Sequence, residues 1–96
     1  TNIAMVPMED IETKYYFRFS VLDRPGVLSQ ISGILGEHNI SLESVIQKAR
    51  EKAGPVPIVM TTYKAREKDV RQALKKIDRL AVVKGKTVLI RIEDEL

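Results

Sequence analysis

The hydrophobic periodicity of the chain alternates between that of strands and that of helices, and this order restricts the fold more than any other feature. A period of two predicts strands at residues 15–22, 40–48, 56–63 and 87–92. A period of 3.6 predicts helices from Val27 to near His38 and at residues 66–79. The predicted order is therefore β-α-β-β-α-β.

This order predicts an α+β domain of the ferredoxin-like type. Each helix joins two strands of one sheet by a right-handed crossover, which gives the split β-α-β arrangement. We expect a four-stranded antiparallel sheet in the order 4-1-3-2, with two helices on one face and strands two and four as edges.

The phase of each strand predicts which side chains face the helices. The inward sets are Phe17, Phe19 and Val21; Ile40, Leu42 and Ile46; Ile58, Met60 and Thr62; and Val88, Ile90 and Ile92. The opposite face is expected to carry Tyr16, Arg18, Val45, Val59, Tyr63 and Leu89. That face is apolar enough to favour a partner.

Composition excludes several classes of site. The 96 residues contain no cysteine and one histidine, so disulfides, thiolate metal sites and histidine-rich metal sites are excluded. We expect no metal site, and no apolar run approaches the ~20 residues of a membrane helix. The net charge of +3 comes from interspersed basic and acidic residues, which is typical of solvated helix faces. A cytoplasmic protein that binds neither membrane nor nucleic acid is expected.

Two functional classes find little support in the residues. The sequence shows no obvious pair of residues for acid–base catalysis. His38 stands at a predicted helix end, where capping is the simpler role. No catalytic residue is therefore predicted. RNA-binding domains of this topology stack bases on aromatic side chains of the central strands. Phe17 and Phe19 are expected on the helix side, and the third strand lacks the basic-glycine-aromatic signature.

The turn that joins the first strand to the first helix favours a small-ligand site. It reads Asp-Arg-Pro-Gly-Val-Leu over residues 23–28. A helix N-terminus presents N–H groups suited to a carboxylate, Gly26 permits close approach, and Asp23 can accept a hydrogen bond from an ammonium group. Together these groups suit the carboxylate and ammonium groups of an α-amino acid. A tight strand-to-helix turn without any ligand commonly has the same composition.

Residues 23–28, followed by an apolar helix and by Gly-Glu-His-Asn-Ile-Ser at residues 36–41, resemble the ACT domain family. Residues 15–18, 44–48, 56–59 and 65–67 extend the likeness to the C-terminal ACT domains of bacterial homoserine dehydrogenases. The resemblance covers residues 9–93. It implies a linker at residues 1–14 from a catalytic region absent here, a regulatory domain at residues 15–93, and a tail at residues 94–96.

The resemblance also implies a function. Such enzymes reduce aspartate semialdehyde to homoserine with NADH or NADPH, so the NAD(P) site and the catalysis would lie in the preceding region and no cofactor in this chain. This chain would bind an amino-acid effector, threonine above all, for feedback inhibition. A ligand-free ACT domain that only holds a dimer together is the alternative, and an RNA-binding module is a more remote one.

The resemblance implies a site divided between two segments. The effector-binding residues would be Asp23, Arg24, Pro25, Gly26, Val27, Leu28, Asn39, Ile40 and Ser41. ACT domains typically pair through an edge strand, and the second strand is the expected edge. In a two-fold dimer Ser41 of one chain would then face Asp23 and Gly26 of the other, giving two equivalent sites.

Overall fold

The computed structural model of the chain describes residues 10–47 and 54–92. The elements are β1 Glu12–Val21, α1 Val27–Glu37, β2 Leu42–Gln47, β3 Val56–Thr62, β4 Ala65–Arg66, α2 Glu67–Asp78 and β5 Val88–Ile92. Residues 1–9 of the expected linker, Lys48 of the expected second strand and the expected tail at residues 94–96 lie outside the described residues. The predicted ferredoxin-like α+β class is confirmed.

The sheet is antiparallel and has β1 at its centre. β1 pairs with β3 on one side and with β5 on the other, and β2 pairs with β3. The order β5-β1-β3-β2 is the predicted 4-1-3-2. A fifth strand, the two-residue β4, pairs with Glu12 and Thr13 beside β5. Because of this pairing β1 begins at Glu12, three residues before its predicted start. β4 itself is too short to show a hydrophobic period in the sequence.

Both helices pack on one face of the sheet, as predicted. β1 and β3 are in a register that sets Phe17 opposite Met60 and Phe19 opposite Ile58, and all four are fully buried. The helices contribute a buried stripe to the same core, formed by Val27, Ile31, Leu35, Val70, Ala73 and Ile77. Each large apolar side chain buried in this way contributes about 1.5–3 kcal/mol to folding.

The phase of β2 differs from the prediction because of a β-bulge. The register with β3 shifts between Leu42 and Ser44, so one extra residue lies in β2. Beyond the bulge Val45 lies opposite the buried Met60, whereas Ile46 lies opposite Val59 on the uncovered face. The predicted inward position of Ile46 and outward position of Val45 are therefore wrong, since one inserted residue reverses every later side chain.

The phase of β5 is also opposite to the prediction. Leu89 pairs with Phe17 and so points to the helix side, whereas Val88 and Ile90 pair with Arg18 and Tyr16 on the uncovered face. The reason lies in Arg91, which has the same phase as Leu89 and forms an ion pair with a buried carboxylate of α2. That electrostatic requirement overrides the preference of Val88, Ile90 and Ile92 for burial.

The ends of the helices follow local signals in the sequence. Asn39 has a φ of 62° after the last turn of α1, the left-handed conformation expected of a C-terminal cap. The chain after α2 turns back at Leu80, and Val83 forms an isolated bridge with Val21 before β5 begins. Strand pairing thus starts at Val83, before the predicted last strand, and is interrupted around Gly85.

Candidate functional site

The turn after β1 is fixed by backbone hydrogen bonds. Leu22 N–H donates to Val82 O over 2.8 Å, and Arg24 N–H donates to Leu22 O over 3.0 Å. Gly26 then takes the N-cap position of α1 with a φ of 85°. An L-residue with a side chain is strained in that left-handed conformation, which accounts for glycine here.

The N-terminus of α1 is open to solvent. Asp23, Arg24, Pro25 and Gly26 are exposed. No side chain caps the helix, and its first turn contains no acidic residue. The partial positive charge of the helix dipole is therefore available to an anion.

The backbone amides of this terminus differ in their hydrogen bonding. Val27 N–H reaches Arg24 O at 3.4 Å, and the first regular helical bond runs from Gln30 N–H to Gly26 O at 3.0 Å. Within residues 10–47 and 54–92, neither Leu28 nor Ser29 donates its N–H to a backbone carbonyl. Of the predicted effector-binding residues Val27 and Leu28, Leu28 thus has the backbone N–H that is better placed for a carboxylate.

The predicted residues at the start of the second strand lie at the other end of α1. Ile40 is buried and donates its N–H to Leu35 O at 3.0 Å, while Asn39 and Ser41 are exposed. Ser41 O accepts a hydrogen bond from Tyr63 N–H at 2.9 Å. The 11 residues of α1 separate this segment from Gly26 by about 16 Å. One protomer therefore does not bring the two predicted halves together.

A buried ionic cluster, which the sequence patterns did not reveal, surrounds Glu67 at the start of α2. Its carboxylate is 7% exposed and accepts hydrogen bonds from Arg91 Nη2 at 2.9 Å and Arg71 Nε at 3.1 Å. The buried hydroxyl of Tyr15 donates a third. The spacing of Glu67 and Arg71 at i, i+4 is the one signal in the sequence, and it is typical of exposed helix faces as well.

The cluster holds its groups in defined protonation states. Burial alone would raise the pKa of Glu67, but the hydrogen bonds from Tyr15, Arg91 and Arg71 outweigh it and lower that pKa. Burial, together with the hydrogen bond to the Glu67 carboxylate, raises the pKa of Tyr15 to about 12. An ionised glutamate that accepts hydrogen bonds from a neutral tyrosine and two arginines ties β1, α2 and β5 together.

Other kinds of site find no support in the described part of the chain. Phe17 and Phe19 are fully buried under the helices, as predicted, and cannot stack on bases. No three metal-ligating side chains of residues 10–47 and 54–92 are grouped for an ion. His38 forms the C-cap of α1 through its backbone N–H, which donates to Leu35 O at 3.1 Å. Neither described helix has the length and apolar character needed to cross a bilayer.

Comparison with known proteins identifies the family. A family model for the ACT domain matches residues 15–82. The homoserine dehydrogenase of Pseudomonas aeruginosa is 39% identical over 90 residues, which cover 93% of this chain and 21% of that protein. That of Helicobacter pylori is 37% identical over 93 residues, covering 97% of this chain and 22% of its own length.

Solved structures agree with the sequence relatives. A homoserine dehydrogenase from Thiobacillus denitrificans matches with a TM-score of 0.85 and 38% identity, over 98% of this chain and 20% of that one. The ACT domain of a GTP pyrophosphokinase from Chlorobium tepidum shares the fold, with a TM-score of 0.63 at 15% identity, over 85% of this chain and 100% of that one. The chain therefore belongs to the ACT domain family, in the branch found in homoserine dehydrogenases.

Proposed function

We propose that the chain is an amino-acid-sensing regulatory domain which controls a homoserine dehydrogenase by threonine feedback inhibition. The proposal is supported by the family and by the share of the relatives that it covers, 21% of the Pseudomonas aeruginosa enzyme and 20% of the Thiobacillus denitrificans chain. The reduction of aspartate semialdehyde and the NAD(P) site then belong to the remainder of the polypeptide. The fragment alone is inactive, and its location is cytoplasmic, with the metabolism it regulates.

The observation that carries the proposal is the N-terminus of α1, which is exposed and has neither a side-chain cap nor an acidic residue in its first turn. Gly26 has no Cβ, and the Leu28 N–H has no backbone acceptor within the described residues, so a carboxylate can approach along the helix axis. The effector carboxylate binds there, with its ammonium group near Asp23. The side chains of Val27 and Leu28 pack into and against the core and hold this terminus in place.

A second copy of the chain completes the site. β2 is an edge strand, and five of its six residues are exposed, among them Val45 and Ile46. Pairing of β2 with its two-fold equivalent satisfies the open edge and covers these side chains. Asn39 and Ser41 of the partner subunit then face Gly26, which accounts for their position about 16 Å away within one protomer.

Regulation follows from the position of the site between subunits. An effector that contacts both chains favours one dimer arrangement over another, with a coupling free energy of typically about 1–3 kcal/mol. The connector at residues 1–14 leads into the central strand, since Glu12 already pairs with Arg66 of β4. A change of dimer arrangement is thereby transmitted through β1 to the catalytic region.

Thermal unfolding of the chain with each of the twenty amino acids tests the effector. Threonine at ~100 times its dissociation constant stabilises by ~2.7 kcal/mol, which raises the midpoint by more than about 10 °C. Gly26→Leu is expected to abolish that rise and to leave a folded chain. Gly33→Leu is the matched control, because Gly33 lies in α1 with open space at its Cβ position.

The oligomeric state separates the sensor from a purely structural domain. Sedimentation of the chain should show a dimer, and Ile46→Lys in the β2 edge should dissociate it and remove the threonine response. A tight dimer that no amino acid stabilises would contradict the sensor role and favour the ligand-free ACT domain. A threonine response retained in Gly26→Leu would contradict the assigned site.

A further inference from the structure

The face of the sheet opposite the helices, here called the open face, contains a pocket distinct from the effector site. The pocket has a volume of about 360 Å³ and is lined by Arg18, Ser20, Pro55, Pro57, Gly85, Lys86 and Val88. A recess of about 100 Å³ lined by Tyr16, Arg18, Pro57 and Val59 shares two residues with it and extends it along the sheet. Neither contains any residue of the segments 23–28 or 39–41.

Small residues and one hydrogen bond shape this pocket. Ser20 of β1 lies opposite Pro57 of β3, and Lys84 N–H donates to Ser20 O over 2.7 Å. The chain before β5 is thereby held beside β1. Gly85 has a φ of 75°, and a Cβ there would lie 3.7 Å from Ser20 Cβ, so glycine keeps this wall thin.

The lining combines two cationic side chains with apolar surface. Arg18 and Lys86 are the charged residues of the lining, which contains no aspartate or glutamate. Neither cation forms an ion pair with the residues that the structure describes. Pro57 and Val88 supply apolar surface between them. A guanidinium binds carboxylate or sulfonate oxygens in a fixed, two-pronged geometry.

We propose that this pocket binds a small organic anion with an apolar body. The anionic group lies between Arg18 and Lys86, and the body covers Pro57 and Val88 and extends over Val59 into the recess. The volume falls within the ~300–1,000 Å³ of small-molecule sites, which are mostly apolar with a few polar groups that fix orientation. The site is independent of the amino-acid site at α1.

A pair of fluorescent probes tests the charge requirement. 8-Anilinonaphthalene-1-sulfonate carries a sulfonate on an aromatic body, and N-phenyl-1-naphthylamine is the same body without it. Titration of the chain should show binding of the sulfonate at one site per protomer and at least about tenfold weaker binding of the neutral probe, because charge-assisted hydrogen bonds are lost. Equal affinity for both probes would overturn the proposal.

Charge-matched variants locate the site. Arg18→Gln with Lys86→Gln should weaken sulfonate binding about tenfold. Lys75→Gln with Lys76→Gln, exposed on α2, removes the same net charge and should leave binding unchanged. The same loss in both double variants would show a general attraction to positive charge and would overturn the site.

A steric variant keeps the test decisive if the charge variant unfolds. Ser20→Leu retains both cations, fills the pocket and should abolish sulfonate binding, with circular dichroism confirming the fold. Undiminished binding in folded Ser20→Leu would contradict the location. Gly26→Leu should not change sulfonate binding, so failure of the amino-acid site and failure of this pocket are separately visible.

Discussion

The two helices begin in opposite ways. α2 has Glu67 and Asp69 in its first turn, and the Glu67 N–H donates to Ile11 O at 3.0 Å. α1 has no acidic residue in its first turn, and its N-cap is Gly26. The helix dipole at α2 is thus compensated by the chain itself, whereas the dipole at α1 faces solvent.

This difference separates a terminus that holds the fold together from one that is open to a ligand. The N-termini of both helices have backbone N–H groups without an acceptor inside the helix, and they carry a partial positive charge, as in every α-helix. At α2 the backbone before β1 and a buried carboxylate occupy that end, and three elements are joined there. At α1 glycine and an exposed turn leave the same groups accessible, which is the arrangement that anion binding requires.

The largest effect is expected from removal of the buried carboxylate at α2. Glu67→Ala leaves Tyr15, Arg71 and Arg91 without their common acceptor and should lower the free energy of unfolding by about 3 kcal/mol, measured in urea. Asp69→Ala is the control, because its carboxylate lies 3.8 Å from an exposed Arg66 and should contribute less than about 1 kcal/mol. Equal losses in both variants would contradict the structural role of the cluster.

A smaller effect is expected at the glycine that begins α1. Gly26→Ala should cost about 1–2 kcal/mol, because φ is positive and the space around the new Cβ is open, so backbone strain is the main cost. Gly33→Ala, within the helix and with equally open space, should stabilise by about 0.5–1 kcal/mol. Opposite signs in urea unfolding would confirm the left-handed N-cap, and a stabilising Gly26→Ala would contradict it.

The pH dependence of unfolding also distinguishes α2 from α1. The pKa of Glu67 is lowered in the folded chain, so below ~4.3 the unfolded chain takes up a proton first and stability falls as the pH falls. The pKa of Tyr15 is raised from 10.0 to about 12, so stability falls again as the pH rises through that interval. Glu67→Gln should flatten the acid side, whereas Gly26→Ala should leave both sides unchanged.

The smallest effect in free energy tests the comparison most directly. Ser29→Glu places an acid in the first turn of α1, where it should add about 0.3–1 kcal/mol of stability and weaken threonine binding by competing for the same end. Ser32→Glu, one turn later, should do neither. Unchanged threonine binding in Ser29→Glu would mean that the effector carboxylate binds elsewhere.

The sequence predicted those parts of the fold in which one periodic signal dominates. β1 and both helices have apolar residues on one side and mostly polar residues on the other, and β3 carries its largest apolar residues, Ile58 and Met60, on one side. The phases of these strands and the positions of both helices are confirmed. β2 and β5 carry apolar residues on both sides, so a bulge at Leu42 and an ion pair at Arg91 decided their phase. Neither depends on hydrophobicity, and both require the three-dimensional arrangement to be known.

The functional residues also include some that a local sequence signal predicted and some that it could not. The Gly26 turn was predictable because Asp, Pro and Gly cluster between a strand and a helix, and Asn39 follows α1 in the left-handed conformation that asparagine tolerates. Glu67 was not, because a glutamate at a helix start is usually solvated. Arg71 is connected to it by the i, i+4 spacing, which is common on exposed helix faces, whereas no local pattern connects it to Tyr15 or Arg91. The assignment of residues 23–28 and 39–41 to one effector site stays a prediction.

The central position of β1 has a consequence for how the chain acquires its structure. Thr13 Oγ1 donates to Ile92 O at 2.7 Å across 79 residues, so the first described strand closes on the last. Contacts of such sequence separation impose an entropic cost that slows folding relative to helical domains of equal size. While β5 is still being synthesised, β1 has one unpaired edge and the sheet can recruit foreign strands. That edge is closed only when β5 pairs with residues 14–18 of β1.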